Sequence, residues 1–365
     1  MAHNKKDRSG PDRRAGGGWF RQDRRRVGTA LLGGLSVLIP GRAAQAEPTT
    51  APMGGPEPGR EPPERDLATS SRALAGASLH VTRNAQAEGQ LAEWRRSRPE
   101  DARLLEDLLR QPAASWFGDW NRDVRGDVDR LVSEAARAGE MAVMVAYNIP
   151  NRDCSQYSAG GVGSASEYRG WIREVAAGIG DREAVVILEP DAVALVSCLT
   201  QEGQAERFSL LKEAVTVLKR ETRATVYIDA GHARWVPEEE VAQRLHLSGV
   251  DVADGFALNT SNFIATAENT AYGERVSRRL GGSHFVIDTS RNGGRVADGE
   301  WCNPSGAALG QAPTTETGHG LLDALLWIKR PGESDGTCNG GPEAGQWWGE
   351  YALGLVRNSP STVAD

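Results

Sequence analysis

The stretch AVVILEPDAVALV (residues 184–196) begins with five consecutive apolar residues and turns polar at Glu189, Pro190 and Asp191. An amphipathic stretch with helical spacing follows it at residues 205–220. An apolar run, a polar loop and an amphipathic helix in this order are typical of a βα unit, in which the run is a buried strand. The same pattern recurs along the chain from about Leu74 onward.

Seven apolar runs and six helical stretches repeat this pattern. The runs lie at residues 114–117, 142–147, 184–188, 224–228, 255–258, 284–287 and 324–328. The helical stretches lie at residues 124–138, 166–178, 205–220, 238–247, 269–280 and 344–356. Strands that alternate with helices predict an α/β fold whose parallel sheet is covered on both faces, either a TIM-like barrel or a doubly wound sheet.

Polar residues gather where the strand runs end. They are Asn148 and Asp153, Glu189 and Asp191, Asp229 and His232, Asn259 and Asn262, Asp288 and Arg291, and Lys329 with Glu333 and Asp335. In a βα barrel the loops after the strands meet on one face and form the active site, so these residues would share one cleft. Helix capping is the alternative for any single Asp or Asn. Because capping does not require an acid at nearly every strand end, the pattern favours the barrel.

Several functional classes lack their sequence signatures. The chain has no CxxC, HExxH or HxxxH motif for a metal, no GxSxG elbow for a serine hydrolase and no P-loop. The fragment Gly161-Val162-Gly163 does not follow a strand directly and has no acid placed for a ribose, so we expect no dinucleotide. A cleft of carboxylates with neither a cofactor nor a metal indicates acid/base hydrolysis.

The N-terminal region has the three parts of a signal peptide. Basic residues ending at Arg24-Arg25-Arg26 precede an apolar run at residues 27–40 and the small residues of Ala44-Gln45-Ala46. We therefore predict a secreted protein with a signal peptide at residues 1–46, cleaved near Ala46. A Pro-rich linker at residues 47–72, a catalytic domain at residues 73–359 and a tail at residues 360–365 would follow. The apolar run is shorter than the roughly 20 residues that span a bilayer, so no membrane anchor is expected.

The charge distribution indicates which class of partner the chain can bind. The whole chain carries −7, and residues 1–46 carry +7, so the mature chain would carry −14. Binding to phosphates depends on Lys and Arg, which makes nucleic acid and anionic membranes poor partners for so acidic a chain. A neutral substrate fits better.

The four cysteines are Cys154, Cys198, Cys302 and Cys338. An even number in an exported chain predicts two disulfides. Counting alone leaves three pairings open.

The ten tryptophans exceed the six tyrosines and the six phenylalanines. Flat aromatic rings suit the apolar faces of sugar rings, although most tryptophans pack in cores. Trp116, Trp235 and Trp301 lie beside the polar loops and are candidate sugar platforms. The predicted core positions, which fall on strand or helix patterns, are Trp94, Trp171, Trp327, Trp347 and Trp348.

Seven blocks of the sequence resemble the signature blocks of glycoside hydrolase family 6. They are VAYNIPNRDC (145–154), LEPD (188–191), YIDAGH (227–232), GFALN (255–259), IDTSRNG (287–293), WCNP (301–304) and WIKRPGESDG (327–336). The resemblance runs in order over residues 74–358. It implies a distorted, partly open (β/α) barrel of about seven parallel strands and the hydrolysis of β-1,4-glucan with inversion.

The resemblance also implies roles for three carboxyl groups. Asp191 is similar to the family's general acid, and Asp153 to the aspartate that raises the pKa of that acid. Asp335 is similar to the proposed base, which assists the attacking water directly or through a water chain. An inverting pair should lie about 6.5 to 9.5 Å apart.

Further positions follow from the same resemblance and from the cleft pattern. The candidate substrate-binding residues are Tyr147, Trp116, Asp229, His232, Trp235, Asn262, Trp301, Lys329 and Glu333. Ala159 stands where several family members carry a serine that holds the attacking water, so Ser158 or a backbone carbonyl would substitute. The resemblance implies the disulfide pairs Cys154 with Cys198 and Cys302 with Cys338.

Short loops at residues 158–164 and 302–338 favour an open cleft. We therefore expect a secreted, monomeric, inverting endo-β-1,4-glucanase that acts on cellulose and related β-glucans. The alternatives are an exo-acting cellobiohydrolase of the same family and a glucan-binding protein without catalysis. Asp153, Asp191 and Asp335 together argue against the last of these.

Overall fold

The computed structural model describes residues 74–359. The predicted signal peptide, the predicted linker and the predicted tail lie outside these residues. Within them the chain forms one seven-stranded parallel sheet in the order β1 to β7. The strands are β1 Ser115–Phe117, β2 Ala142–Ala146, β3 Ala184–Leu188, β4 Thr225–Asp229, β5 Gly255–Leu258, β6 His284–Asp288 and β7 Leu322–Leu326. All seven predicted strands are confirmed, and β4 and β6 each extend one residue further to include an aspartate.

Helices cover the outside of the sheet. They are α1 Ala85–Ser97, α2 Pro99–Leu109, α3 Val124–Ala138, α4 Ala165–Ile179, α5 Gln201–Glu221, α6 Glu238–Leu247, α7 Thr266–Arg279 and α8 Gly349–Asn358. Side chains fix where several of them start: Asp123 accepts the N–H of Gly126, Ser164 that of Glu167, and Thr200 that of Gly203.

The sequence pattern missed α1 and α2 and placed the start of the last helix five residues too early. Residues 344–348 form a loop instead of the first turn of α8. Its backbone pairs with the segment after β7, through Ser334 N to Gln346 O (2.9 Å) and Trp348 N to Gly332 O (2.7 Å). Gly345 takes a left-handed φ of 79°, which also breaks a helix.

The sheet curls into a half-barrel, and both of its faces are buried. Val145, Ile187 and Tyr227 point into the barrel interior, and their neighbours Met144 and Val186 pack against the helices. This alternation with a period of two is what a strand buried on both faces requires. Two hydrogen bonds join the first and last strand regions, Ala114 N to Trp327 O (2.9 Å) and Trp116 Nε1 to Ile328 O (2.8 Å). They do not form a ladder, so the predicted distorted, partly open barrel is confirmed.

Two disulfides hold loops at the carboxyl ends of the strands. Cys154 pairs with Cys198, with a Cα–Cα distance of 6.3 Å, and Cys302 pairs with Cys338, at 6.1 Å. The implied pairing is therefore confirmed. The first bond joins the loop after β2 to the short 3-10 helix after β3. Among residues 74–359, no helix has the length and apolarity needed to cross a membrane.

Gly255 gives a test of the sheet's tightest contact. A Cβ at this position would lie 2.0 Å from the carbonyl oxygen of His284 on the adjacent strand. Gly255→Ala should therefore push β5 and β6 apart and cost about 3 kcal/mol or more in the free energy of unfolding, measured by urea denaturation. Gly354→Ala in α8 is the matched control, since a Cβ there meets nothing within 4 Å. It should leave stability unchanged or raise it by about 0.5 to 1 kcal/mol; equal losses in both variants would contradict the close-contact explanation.

Candidate active site

A cleft of about 1800 Å³ lies at the carboxyl ends of the strands. All the candidate catalytic and substrate-binding residues from the sequence line it except Asp229. Asp229 is 1% exposed and lies beneath the cleft, where its Oδ1 accepts the backbone N–H of Asp191 at 3.0 Å. Of the strand-end residues predicted to share one cleft, seven line it. The other six are buried and do not line it: Asn148, Glu189, Asp229, Asn259, Asp288 and Arg291.

The strand-end acids fall into two groups. Asp153, Asp191, Glu333 and Asp335 line the cleft. Glu189 and Asp288 are fully buried and, like Asp229, accept backbone N–H groups. The capping alternative is thus replaced by another structural role, in which buried acids connect neighbouring loops.

Backbone strain marks two of the cleft acids and the buried Glu189. Asp153 and Asp191 adopt left-handed φ values of 54° and 70°, and Glu189 one of 49°. Non-glycine residues in this region cost free energy and persist only where the surroundings hold them. The hydrogen bond from Asp191 N to Asp229 is one such restraint.

The surroundings of Asp191 favour its protonated form. Burial raises the pKa of its carboxyl well above the usual value, and the charges of Asp229 and then Asp153 raise it further. Tyr147 Oη lies 3.5 Å from Asp191 Oδ2 and opposes this shift slightly. Burial and Asp229 therefore contribute more to the raised pKa than Asp153, the neighbour to which the sequence reasoning assigned this task.

The pKa values of Asp229 and Asp153 are also raised. Burial raises the pKa of Asp229 to about 6, against hydrogen bonds from Asp191 N and Gly231 N. Burial also raises the pKa of Asp153, opposed by the N–H of Ser158, which lies 2.7 Å from its Oδ2.

Asp335 has the opposite surroundings. Arg291 Nη1 and the backbone N–H of Asn303 lie 2.8 Å and 3.0 Å from its Oδ2, and Lys329 Nζ lies 3.9 Å from its Oδ1. Two cations and a backbone donor stabilise an ionised carboxylate. Arg291 is fully buried and was quoted in a sequence block without a role, because its partner lies 44 residues away.

Arg152 anchors the loop that carries Asp153. Its guanidinium lies 4.6 Å from the ring centre of Tyr147 and 5.2 Å from that of Trp120. It also donates to Tyr147 O (2.9 Å) and to Ser158 O (2.8 Å). The carbonyl of Ala159 lies 3.4 Å from Arg152 Nη2, so the position that lacks the expected serine belongs to this anchored turn.

Aromatic rings are distributed along the cleft. Trp116 meets Tyr147 edge-on at 5.3 Å, His232 lies 5.3 Å from Trp235, and Trp301 lies 5.8 Å from Tyr157. Trp120 and Tyr157, which are 52% and 50% exposed, also line the cleft but were missed. Neither belongs to a motif, and only their position in polar loops could have suggested them. Among the predicted core positions, Trp94 and Trp327 are buried, whereas Trp171, Trp347 and Trp348 are half-buried.

His232 is a neutral donor in the cleft. Burial, assisted by Arg234, lowers its pKa to about 4. The backbone N–H of Arg234 donates to its Nδ1 at 3.2 Å, so the remaining proton is on Nε2. Among residues 74–359 no group of three or more His, Cys, Asp or Glu side chains is arranged to hold a metal ion.

Comparisons with known proteins agree with this geometry. The sequence model described as Glycosyl hydrolases family 6 matches residues 74–359. The chain is 49% identical to endoglucanase A of Cellulomonas fimi over 269 residues, which cover 73% of this chain and 58% of that protein. It is 42% identical to endoglucanase 1 of Streptomyces halstedii over 284 residues, covering 74% and 87%.

A solved structure is also similar. The endoglucanase Cel6 of Mycobacterium tuberculosis, in complex with methyl-cellobiosyl-4-deoxy-4-thio-β-D-cellobioside, superposes with a TM-score of 0.74 at 45% identity. The match covers 78% of this chain and 98% of that chain.

The raised pKa of Asp229 gives a stability prediction. Its carboxyl binds a proton more tightly in the folded chain, at a pKa of about 6, than at the ordinary value of 3.8. The stability that it contributes is therefore fully present below pH 3.8 and is lost as pH rises through about 6. Asp229→Asn escapes this loss, so its stability relative to the parent should increase from pH 4 to pH 7 by up to about 3 kcal/mol, measured by thermal unfolding.

Asp181→Asn is the matched control, because Asp181 lies exposed in the turn between α4 and β3. Its stability difference from the parent should not change over this pH range. If the stability difference between Asp229→Asn and the parent did not change with pH, the raised pKa of Asp229 would be contradicted.

Proposed function

The chain belongs to glycoside hydrolase family 6, and on this basis we propose that it is an inverting endo-β-1,4-glucanase that acts on cellulose and related β-glucans. The observation that carries the proposal is the contrast between two carboxyl groups of one cleft. Asp191 keeps its proton through burial and neighbouring acids. Asp335 is paired with Arg291 and Lys329, which favours its anionic form.

This contrast supplies both halves of an inverting hydrolysis. Asp191 gives its proton to the glycosidic oxygen as the bond from that oxygen to the sugar C1 breaks. Water attacks C1 from the opposite face, and its proton passes to Asp335 directly or through a second water. The product is the α-anomer at the new reducing end. Asp153 and Asp229 then assist the return of a proton to Asp191, because their charges raise its pKa.

The remaining cleft residues bind the glucan. Trp116, Trp235 and Trp301 offer flat faces to successive sugar rings, and Tyr147 lies beneath the sugar that is distorted at the cleavage point. The polar groups that hold sugar hydroxyls are His232, through its Nε2 proton, Asn262, Lys329 and Glu333. Asp229 supports Asp191 from below.

Endo action is supported by the cleft and by the relatives. The cleft reaches from the loop after β1 to the loops after β4 and β6, as internal segments of a long chain require. Both curated relatives described above are named endoglucanases.

Secretion as a monomer is the remaining part of the proposal. Two disulfides within one domain are typical of exported proteins. The signal peptide would be cleaved after Ala46, and the mature protein would act on a polysaccharide outside the cell.

The acid assignment predicts the effect of Asp191→Asn. An amide cannot supply the proton, so kcat on cello-oligosaccharides should fall by about 10² to 10⁴ while the variant still binds them. Asp153→Asn should instead move the alkaline limb of the pH–rate profile to lower pH, because the pKa of Asp191 loses one of the charges that raise it. Asp181→Asn should behave as the parent does. Retention of most of the parent's kcat in Asp191→Asn would disprove the assignment.

The endo assignment predicts the pattern of products. Internal cuts shorten a polymer more per bond broken than end cuts do, so the viscosity of carboxymethyl-cellulose should drop steeply while few reducing ends appear. New ends with little loss of viscosity would identify an exo-acting enzyme. Neither signal, in a protein that still binds cello-oligosaccharides, would identify a binding protein.

A further inference from the structure

Four consecutive residues between Tyr147 and Asp153 have backbone polar groups that are bonded by side chains from elsewhere. Glu189 accepts the N–H groups of Asn148 (2.9 Å) and Ile149 (3.1 Å). Arg207 Nη2 donates to the carbonyls of Pro150 (2.7 Å) and Asn151 (2.9 Å). The segment is therefore held from the end of β3 and from α5, not by a strand ladder.

Both side chains are buried. Arg207 is 3% exposed and Glu189 is not exposed. Burial lowers the pKa of Arg207, and the charge of Glu189 opposes that shift. A buried guanidinium costs free energy unless its bonds and its charge are satisfied, and here two loop carbonyls and one acid satisfy them.

The same arrangement recurs one βα unit further along. Arg244 Nη1 on α6 donates to Val193 O (2.9 Å) and Ala194 O (3.0 Å), directly after Asp191. Arg207 and Arg244 hold equivalent places, each six residues after the first residue of its helix. Each reaches back by one unit: α5 follows β3 but Arg207 contacts the loop after β2, and α6 follows β4 but Arg244 contacts the loop after β3. The first holds the loop of Asp153 and the second holds the loop of Asp191.

We propose that Arg207 and Arg244 are positioning residues that fix the loops of Asp153 and Asp191 relative to each other, so that the cleft is pre-organised for hydrolysis. The proposal rests on the function proposed above. Neither arginine is among the residues that line the cleft. Each acts through the loop that it holds.

The physical argument is the sensitivity of catalysis to small displacements. Asp153 follows Asn151 by two residues, and Asn151, Asp153 and Cys154 all have left-handed φ values, of 55°, 54° and 46°. Such a strained turn keeps its shape only if its ends are held. A planar guanidinium can bond two successive carbonyls in a fixed geometry, which the single ammonium of lysine does less well.

We call Arg207 on the loop of Asp153 and Arg244 on the loop of Asp191 the two clamps. Hydrogen exchange tests them without reference to activity. In Arg207→Met, amides of residues 148–160 should exchange faster while those of residues 192–199 stay as in the parent. Arg244→Met should show the reverse. Arg220→Met is the matched control, since Arg220 is exposed on the same helix as Arg207, and it should change neither segment. Unchanged exchange in both clamp variants, or equal loosening of both loops by either one, would overturn the proposal.

Kinetics test the consequence for the reaction. Arg207→Met should lower kcat on cellopentaose about 10- to 100-fold with little change in KM. The alkaline limb of its pH–rate profile should move to lower pH. Asp191 faces Asp229, Tyr147 and Asp153, and a displaced Asp153 raises the pKa of Asp191 less. Arg207→Lys should have an intermediate kcat and should replace Arg207→Met if that variant does not fold. A pH profile and kcat identical to the parent's in Arg207→Lys, with unchanged exchange, would also overturn the proposal.

The two proposals fail in different ways. A parent protein that hydrolyses no glucan overturns the proposed function and, with it, the catalytic meaning of the clamps. A parent that is active, with variants whose kcat falls only in proportion to their unfolded fraction, overturns the clamps alone.

Discussion

The cleft at the carboxyl ends of the strands depends on one interaction. Buried carboxylates accept backbone N–H groups from the neighbouring loops. Glu189 holds the loop after β2, Asp229 holds Asp191, and Asp288 holds the segments after β5 and β7 through Ser261 N and Lys329 N, both at 2.9 Å. Where parallel strands end, the sheet no longer pairs these donors, and a buried unpaired N–H is costly. The acids satisfy them and at the same time fix how the loops lie next to one another.

The same burial sets the chemistry. Taking a carboxyl group out of water favours its neutral form, which is why Asp191 can keep a proton at a pH where a free aspartate has lost it. Asp335 is also buried, with 8% of its surface exposed, yet Arg291 and Lys329 accompany it. The difference between the proposed acid and the proposed base is therefore the presence of cations, not the degree of burial. The stability lost when Asp229 ionises is the thermodynamic cost of that arrangement.

Local patterns in the sequence were enough to predict the seven strands, the polar strand ends and the two disulfides that the resemblance implied. Each of these depends on residues close together in the chain or on a recognisable block. The pattern could not separate Glu189 from Asp191, because both follow β3 and only the fold decides which of them faces the cleft. Arg207 and Arg244 were likewise invisible, since an arginine inside an amphipathic helix looks like a solvent-exposed residue until its loop partner is known.

The barrel is incompletely closed, and a side chain takes part in closing it. Among residues 74–359 no ladder joins β1 to β7, and at this seam the Trp116 indole donates to the carbonyl of Ile328. The side chain thus closes the seam and still borders the cleft, next to Tyr147. Because the seam has only two hydrogen bonds, the loops after β1 and β7 can stand apart at the cleft. A long chain needs that separation in order to lie across the strand ends, which is compatible with the proposed internal cutting.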